Sequence, residues 1–181
     1  MSELKKLNIG CGHDIRSGWI NLDSSPLAGV DVVYDIESGL FPFDDEQFDE
    51  ILCQDVLEHV EYIPVLKEIH RILKKGGKLT IRVPHFTSPN NYIDPTHKKM
   101  FSFRTFGFFV LDKSIGERNY YFDFHFSSIN PVKIIFIKGL LFYNFIVEPI
   151  VNSSLVVRKL YEETMFSRLF PAQNILVELI K

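Results

Sequence analysis

Short apolar runs closed by glycine or an acid dominate the first third of the chain. Lys6-Leu7-Asn8-Ile9-Gly10 opens into a Gly-x-Gly turn, Gly10-Cys11-Gly12. Trp19-Ile20-Asn21-Leu22-Asp23 and Asp31-Val32-Val33-Tyr34-Asp35 each end in an aspartate. Runs this short between turn residues predict strands. A fourth strand is predicted at Phe48–Gln54 and leads into Asp55-Val56-Leu57-Glu58-His59-Val60. From Tyr62 to Lys74 the period changes: Ile63, Leu66, Ile69 and Leu73 recur at helical spacing. Pro64 sits in the first turn of that helix, where its missing N–H costs little, and Gly76-Gly77 end it. A fifth strand, Lys78–Val83, stops at Pro84.

Beyond Pro84 the pattern loosens. Residues 84–100 read as a long polar loop, and a loop of that length without secondary structure is usually functional or disordered. Thr105–Leu111 predicts a short helix, and Tyr120–Phe126 an extra strand or an extended lip. Val132–Ile137 predicts strand six and Asn174–Ile180 the last strand. Between them Leu140–Phe170 is apolar and largely helical, interrupted by Pro149. Its Leu141, Phe142, Phe145, Ile146, Ile150, Leu155, Val156, Leu160, Phe166 and Leu169 read first as core cover over a sheet edge. A substrate channel, a dimer face or a membrane-surface contact is the lesser reading.

The chain of 181 residues is long enough for one domain with a full core. We divide it into a cofactor-binding half, 1–84, and a substrate side, 85–181. Hydrophobic content is 46% and charged content 24%, the balance of a globular protein. Net charge is −3, which argues against nucleic acid as the main partner, because phosphate neutralisation needs a basic surface. The two cysteines, Cys11 and Cys53, and the lack of a secretory signal read as reduced thiols in a cytoplasmic protein.

Glycines after the first strand let a ligand approach the backbone, and an acid ending the second strand can accept hydrogen bonds from a ribose. A dinucleotide fingerprint needs a third glycine, a helix, and an acid about 20 residues on. Here the third glycine is absent, Asp23 comes sooner, and His13–Gly18 is too short for a crossover helix. A nicotinamide oxidoreductase is disfavoured, and a nucleoside ligand without phosphates fits better.

Four pieces in order carry a family resemblance: Leu7-Asn8-Ile9-Gly10-Cys11-Gly12, Asn21-Leu22-Asp23, the segment 48–60, and Leu73-Lys74-Lys75-Gly76-Gly77-Lys78-Leu79. Over residues 6–84 the chain resembles class I methyltransferases that use S-adenosylmethionine, in particular the type 11 group. The resemblance implies a Rossmann-like, seven-stranded, mostly parallel sheet with one antiparallel strand and helices on both faces. The first crossover would be shortened. It also implies S-adenosylmethionine as cofactor: Gly10, Cys11 and Gly12 toward the methionine part, Asp23 on the ribose, Asp35 and Ile36 beside the adenine, and Gln54 near the sulfonium.

If the acceptor is a hydroxyl, a base must take its proton as the bond forms. The candidates are His85, Asp94 and His97, all in the long loop. Nothing in the histidine spacing predicts a metal site, so none is expected. His59 reads as structural, and His70 as a surface residue in mid-helix. The expected function is O-methylation of a small molecule such as a sugar, glycan precursor or lipid-linked acceptor. The alternative is a catalytically silent cofactor-binding subunit that acts through a protein partner. Homodimerisation is left open.

Overall fold

A computed structural model describes residues 4–111, 119–139 and 141–181 of the chain. The parallel strands are β1 (Lys6–Ile9), β2 (Ile20–Asp23), β3 (Val32–Val33), β4 (Phe48–Gln54) and β5 (Leu73–Pro84). The sheet continues with β6 (Ser128–Ile129), β7 (Lys133–Ile135) and β8 (Asn174–Ile180). The order across the sheet is β3-β2-β1-β4-β5-β8-β6, with β7 also paired to β8. β8 runs antiparallel to β5, β6 and β7. The pairing register moves by one residue between Ile129↔Leu179 and Lys133↔Leu176. Asn130-Pro131-Val132 is therefore a break within one edge strand, as expected where proline cannot donate to the ladder. The sheet thus counts as seven strands, or eight with that break.

No helix interrupts residues 10–19 between β1 and β2, so the shortened first crossover is real. Helix α1 (Tyr62–Ile72) is the one crossover helix among the first five strands. Val65, Leu66, Ile69 and Ile72 are its buried residues, whereas Ile63 is exposed. The helix stops two residues short of the expected Lys74 because Leu73 turns extended and pairs with Phe48. His70 is half-buried rather than on the surface: its Nε2 lies 3.0 Å from the His125 carbonyl oxygen, and its ring stands edge-on to Phe126.

The core is one cluster. It joins the inward side chains of the sheet (Leu7, Ile9, Ile51, Ile81, Val177) to α1 and to a phenylalanine group, Phe101, Phe106, Phe109, Phe124 and Phe126. Tyr120–Phe126 is a lip, not a strand: Phe122 stacks on Phe109 at 4.4 Å, and only Phe126 bridges back, to Val110. Strands alternate sides residue by residue. The opposite side of β1, β4, β5 and β8 therefore presents Lys6, Glu50, Lys78, Thr80 and Glu178. Glu50 there bridges Lys6 at 3.4 Å and Lys78 at 2.8 Å. Burial would raise the Glu50 pKa, but the two lysines outweigh it and hold the carboxyl below its ordinary value. The helices gather on the side of the core cluster.

The apolar segment after Gly139 corrects the expectation of core cover; Leu140 itself lies outside the described residues. It forms α3 (Asn144–Val151), α4 (Leu155–Glu163) and α5 (Phe166–Leu169), with the short α2 (Asn90–Ile93) earlier in the chain. Val151 and Tyr161 are its buried core members. Phe142, Phe145, Ile146, Ile150, Leu155, Val156, Leu160, Phe166 and Leu169 are exposed instead. The reason is geometric: the face turned to the sheet is filled by Val147, Val151, Tyr161 and Phe170, plus the polar Asn144 and Arg158.

Candidate functional site

The carboxyl ends of β1, β2 and β4 converge at Gly10, Asp23 and Gln54. Both turn glycines have positive φ, +63° at Gly10 and +49° at Gly12, but their surroundings differ. A Cβ on Gly10 would stand 2.2 Å from Val56 Cγ2, so that glycine is required by packing against the chain after β4. At Gly12 a Cβ would meet nothing within 4 Å. The open cradle therefore belongs to Gly12, whose N–H donates to Asp23 Oδ2 at 2.8 Å. Asp23 Oδ1 accepts the Ser25 N–H at 2.9 Å. These two bonds fix the carboxylate and leave lone pairs for ribose hydroxyls.

The other residues assigned by resemblance fall around this turn. Cys11 N–H donates to the Leu22 carbonyl at 3.0 Å, tying the turn to β2. Its thiol pKa is raised, first by burial and then by Asp23 nearby. Asp35 makes an Asx turn, its Oδ1 accepting the Glu37 N–H at 2.9 Å, and it stays exposed. Ile36 joins the core cluster, its side chain turned inward. Gln54, half-buried, ends β4 beside Asp55. The open backbone at Gly12 and the pinned carboxylate of Asp23 fit an adenosine-bearing cofactor without phosphates.

Next to β4 lies a chamber of about 660 Å³, lined among others by Asp55, Glu58, His59, Arg82, Asp94 and His97. The long loop closes over it. Thr96 clamps the loop, donating through its N–H and Oγ1 to Asp94 Oδ1 at 2.9 and 2.6 Å. His59 Nδ1 lies 2.7 Å from Thr96 Oγ1. Since that hydroxyl donates to Asp94, it accepts from His59 Nδ1–H, and His59 Nε2 is the free acceptor. The His97 ring stands edge-on to His59 at 4.6 Å, and its Nε2 lies 3.8 Å from Asp94 Oδ2. The Lys98 N–H donates to the Glu58 carbonyl at 2.6 Å and holds loop and β4 extension together.

Two buried atoms here have no partner among the described residues: Glu58 Oε2 and His97 Nδ1. Glu58, His59 and His97 each offer a donor atom within 4.8 Å of the others. Burial pushes the Glu58 carboxyl up to about 8, with Asp55 and Asp94 adding to the rise, so it is protonated at neutral pH. His59 is held below its ordinary value by burial and by the neighbouring His97. The cluster can store or pass one proton, and its donor set also suits a divalent cation.

Of the three expected bases, His97 and Asp94 reach the chamber. His85 does not: it is fully buried, with Nδ1 2.7 Å from Thr87 Oγ1 and Nε2 3.0 Å from Glu162 Oε1. Nε2 ties the loop base to α4, and Nδ1 is taken up by Thr87 within the loop itself. Glu58 and His59 were missed as site residues. The available signal was their position just past the end of β4, where Glu58 ends a run that looks apolar.

A methyltransferase-domain family model matches residues 7–81. An uncharacterised protein of Methanocaldococcus jannaschii is 57% identical over 42 residues, 23% of this chain and 19% of that one. A ubiquinone biosynthesis O-methyltransferase of Pseudomonas syringae is 30% identical over 97 residues, 41% of this chain and 42% of that one. The chain thus spans less than half the length of these curated relatives. Among solved structures, a SAM-dependent methyltransferase from Archaeoglobus fulgidus superposes with a TM-score of 0.61 at 20% identity, over 98% of this chain and 86% of that one. A SAM-dependent methyltransferase from Thermotoga maritima, described as a possible histamine N-methyltransferase, gives 0.58 at 20% identity, over 100% and 84%. Residues 7–81 are thus similar to a methyltransferase domain, and the whole chain shares the fold of these solved structures.

Proposed function

We propose that the chain transfers a methyl group from S-adenosylmethionine to a hydroxyl of a small molecule held in the chamber beside β4. The observation that carries this is the Glu58–His59–His97 cluster on the chamber wall, with Glu58 buried, the two histidines half-buried, and Glu58 Oε2 and His97 Nδ1 without partners among the described residues. When bound, the cofactor supplies an already activated methyl on a sulfonium, so the protein's contribution is alignment and proton removal. Gly12 and Asp23 would hold the nucleoside end, and Gln54 would lie on the sulfonium side. His97, held by Asp94 and the His59 ring, takes the acceptor proton. Glu58 stands behind it as a group that is neutral near pH 7 and ionised above about 8.

The O-methyl reading draws support from the ubiquinone biosynthesis O-methyltransferase matched over part of the chain. The test is radiolabelled methyl transfer to a panel of catechol, sugar and alcohol acceptors. Turnover on any of them, lost in His97→Ala while cofactor affinity stays unchanged, supports the assignment. Unchanged turnover in that variant removes His97 from the mechanism. A second reading rests on the two orphan atoms: a divalent cation held by Glu58, His59 and His97 would bind and acidify the acceptor hydroxyl. Loss of turnover on chelation, restored by a divalent metal, separates this reading from a purely protic one.

A further inference from the structure

On the core side of the sheet, away from the chamber, lies a second pocket of about 310 Å³. Its wall is formed by Phe103, Ile129, Pro131 and Val132, and by the first turns of α4 with Arg158 and Lys159. It shares no lining residue with the chamber described above. Among the described residues no carboxylate lines it, and the first turn of α4 carries no acid.

Arg158 is the unusual member. It is only 8% exposed, and one guanidinium nitrogen, Nη1, donates to the Asn152 carbonyl at 3.0 Å. Its Nε is buried without a partner among the described residues. No acid pairs with it among the described residues, although Glu163 nearby pairs with both Arg104 and Lys159. A buried guanidinium without a counter-charge is unfavourable, and an anion placed against it repays that cost. Arginine presents its donors as a planar fork that matches phosphate or carboxylate oxygens. The N-terminus of α4, capped by the Ser154 hydroxyl, adds a partial positive charge on the same side.

We propose that this pocket is an anion site that takes a phosphate group, with Arg158 as the primary ligand and Lys159 and Arg104 at its rim. The apolar walls suit a phosphate carried on an apolar body. The same chemistry occurs in a free phosphomonoester and in a lipid headgroup, and the exposed Leu155 of α4 lines the pocket. This site is independent of methyl transfer and of the reading given above.

The test is calorimetric titration of the full chain with inorganic phosphate, against chloride at matched ionic strength. It is paired with sedimentation on phosphatidic acid and phosphatidylcholine vesicles. The expected result is binding of phosphate, or selective retention on phosphatidic acid vesicles, weakened at least tenfold in Arg158→Gln and severalfold in Lys159→Gln. S-adenosylmethionine affinity should be unchanged in both variants. Phosphate binding alone identifies a soluble ligand, and vesicle binding alone a lipid headgroup. If Arg158→Gln does not fold, the exposed Lys159→Gln and Arg104→Gln variants carry the test through the same weakening. Equal binding by wild type and variants, or no binding of either probe beyond the chloride and phosphatidylcholine controls, overturns the proposal.

Discussion

At the scale of single residues, the two turn glycines make different demands. Gly10→Ala sets a methyl against Val56 in a left-handed backbone, so it should cost stability, about 1–3 kcal/mol from overpacking and strain, read by urea denaturation. Gly12→Ala meets open space and pays only for its backbone angle, about 1–2 kcal/mol. Its larger effect should be on S-adenosylmethionine affinity, read by calorimetry, because the new methyl projects into the cradle. A reversed pattern would place the cofactor against Gly10 instead. Glu58 gives a pH signature. Its folded pKa of about 8 is raised above the ordinary carboxyl value, so the native state holds a proton that the unfolded chain has released. Stability from this group is full below about pH 4.5 and falls as pH rises toward 8. Glu58→Gln should flatten that fall in a series of denaturation curves across pH 4.5 to 8.

At the scale of elements, one carboxylate ties the substrate-side loop to α4. Glu162 accepts from Ser102 Oγ at 2.5 Å, from the Phe103 N–H at 2.9 Å and from His85 Nε2 at 3.0 Å. Both of its oxygens are used, and its side chain is 7% exposed. Glu162→Ala leaves three donors without an acceptor, those of His85 and Phe103 buried, and should destabilise the protein by about 2–4 kcal/mol. The loss should appear first as faster hydrogen exchange at residues 85–103. Exchange unchanged there would mean that Phe101 and Phe106 hold the loop unaided. The exposed apolar face of α3–α5 belongs to this scale too. Pro149 removes a donor in α3, and the buried side of the three helices is short, so most of their apolar residues point outward.

For the whole molecule, one core on one side of the sheet must support both the crevice and the chamber. The other side carries the Lys6–Glu50–Lys78 ladder in place of a helical layer. A cofactor spanning the ends of β1, β2 and β4 would join three strands whose connections contain no helix. Saturation with S-adenosylmethionine at a hundredfold over its dissociation constant should stabilise the fold by about 2.7 kcal/mol. For a chain of this size that raises the melting temperature by about 5–10 °C. No shift at any concentration would speak for a chain that needs a partner to complete its crevice. Among the described residues, no helix is long and apolar enough to cross a membrane.

Local pattern determined much of this protein. The strands at Lys6–Ile9 and Phe48–Gln54 were legible because short apolar runs end at a glycine or an acid, and Asn174–Ile180 as an apolar run in which Glu178 is the one charge. Gly12 and Asp23 were legible as a pair because their chemistry depends on residues close in sequence. Tertiary structure decided the rest. His85 and His97 look alike in a polar loop, yet one is clamped by Glu162 across the fold and the other faces the chamber, and no local pattern encodes that contact. Glu58 looked like one polar position in an apolar run, and only burial makes its carboxyl an unusual acid. The apolar residues of α3–α5 read as core cover, because hydrophobicity says that a side chain gains from burial but not whether a neighbour is there to bury it. Arg158 shows the converse: a cation in an amphipathic helix reads as solvated until packing closes water out around it.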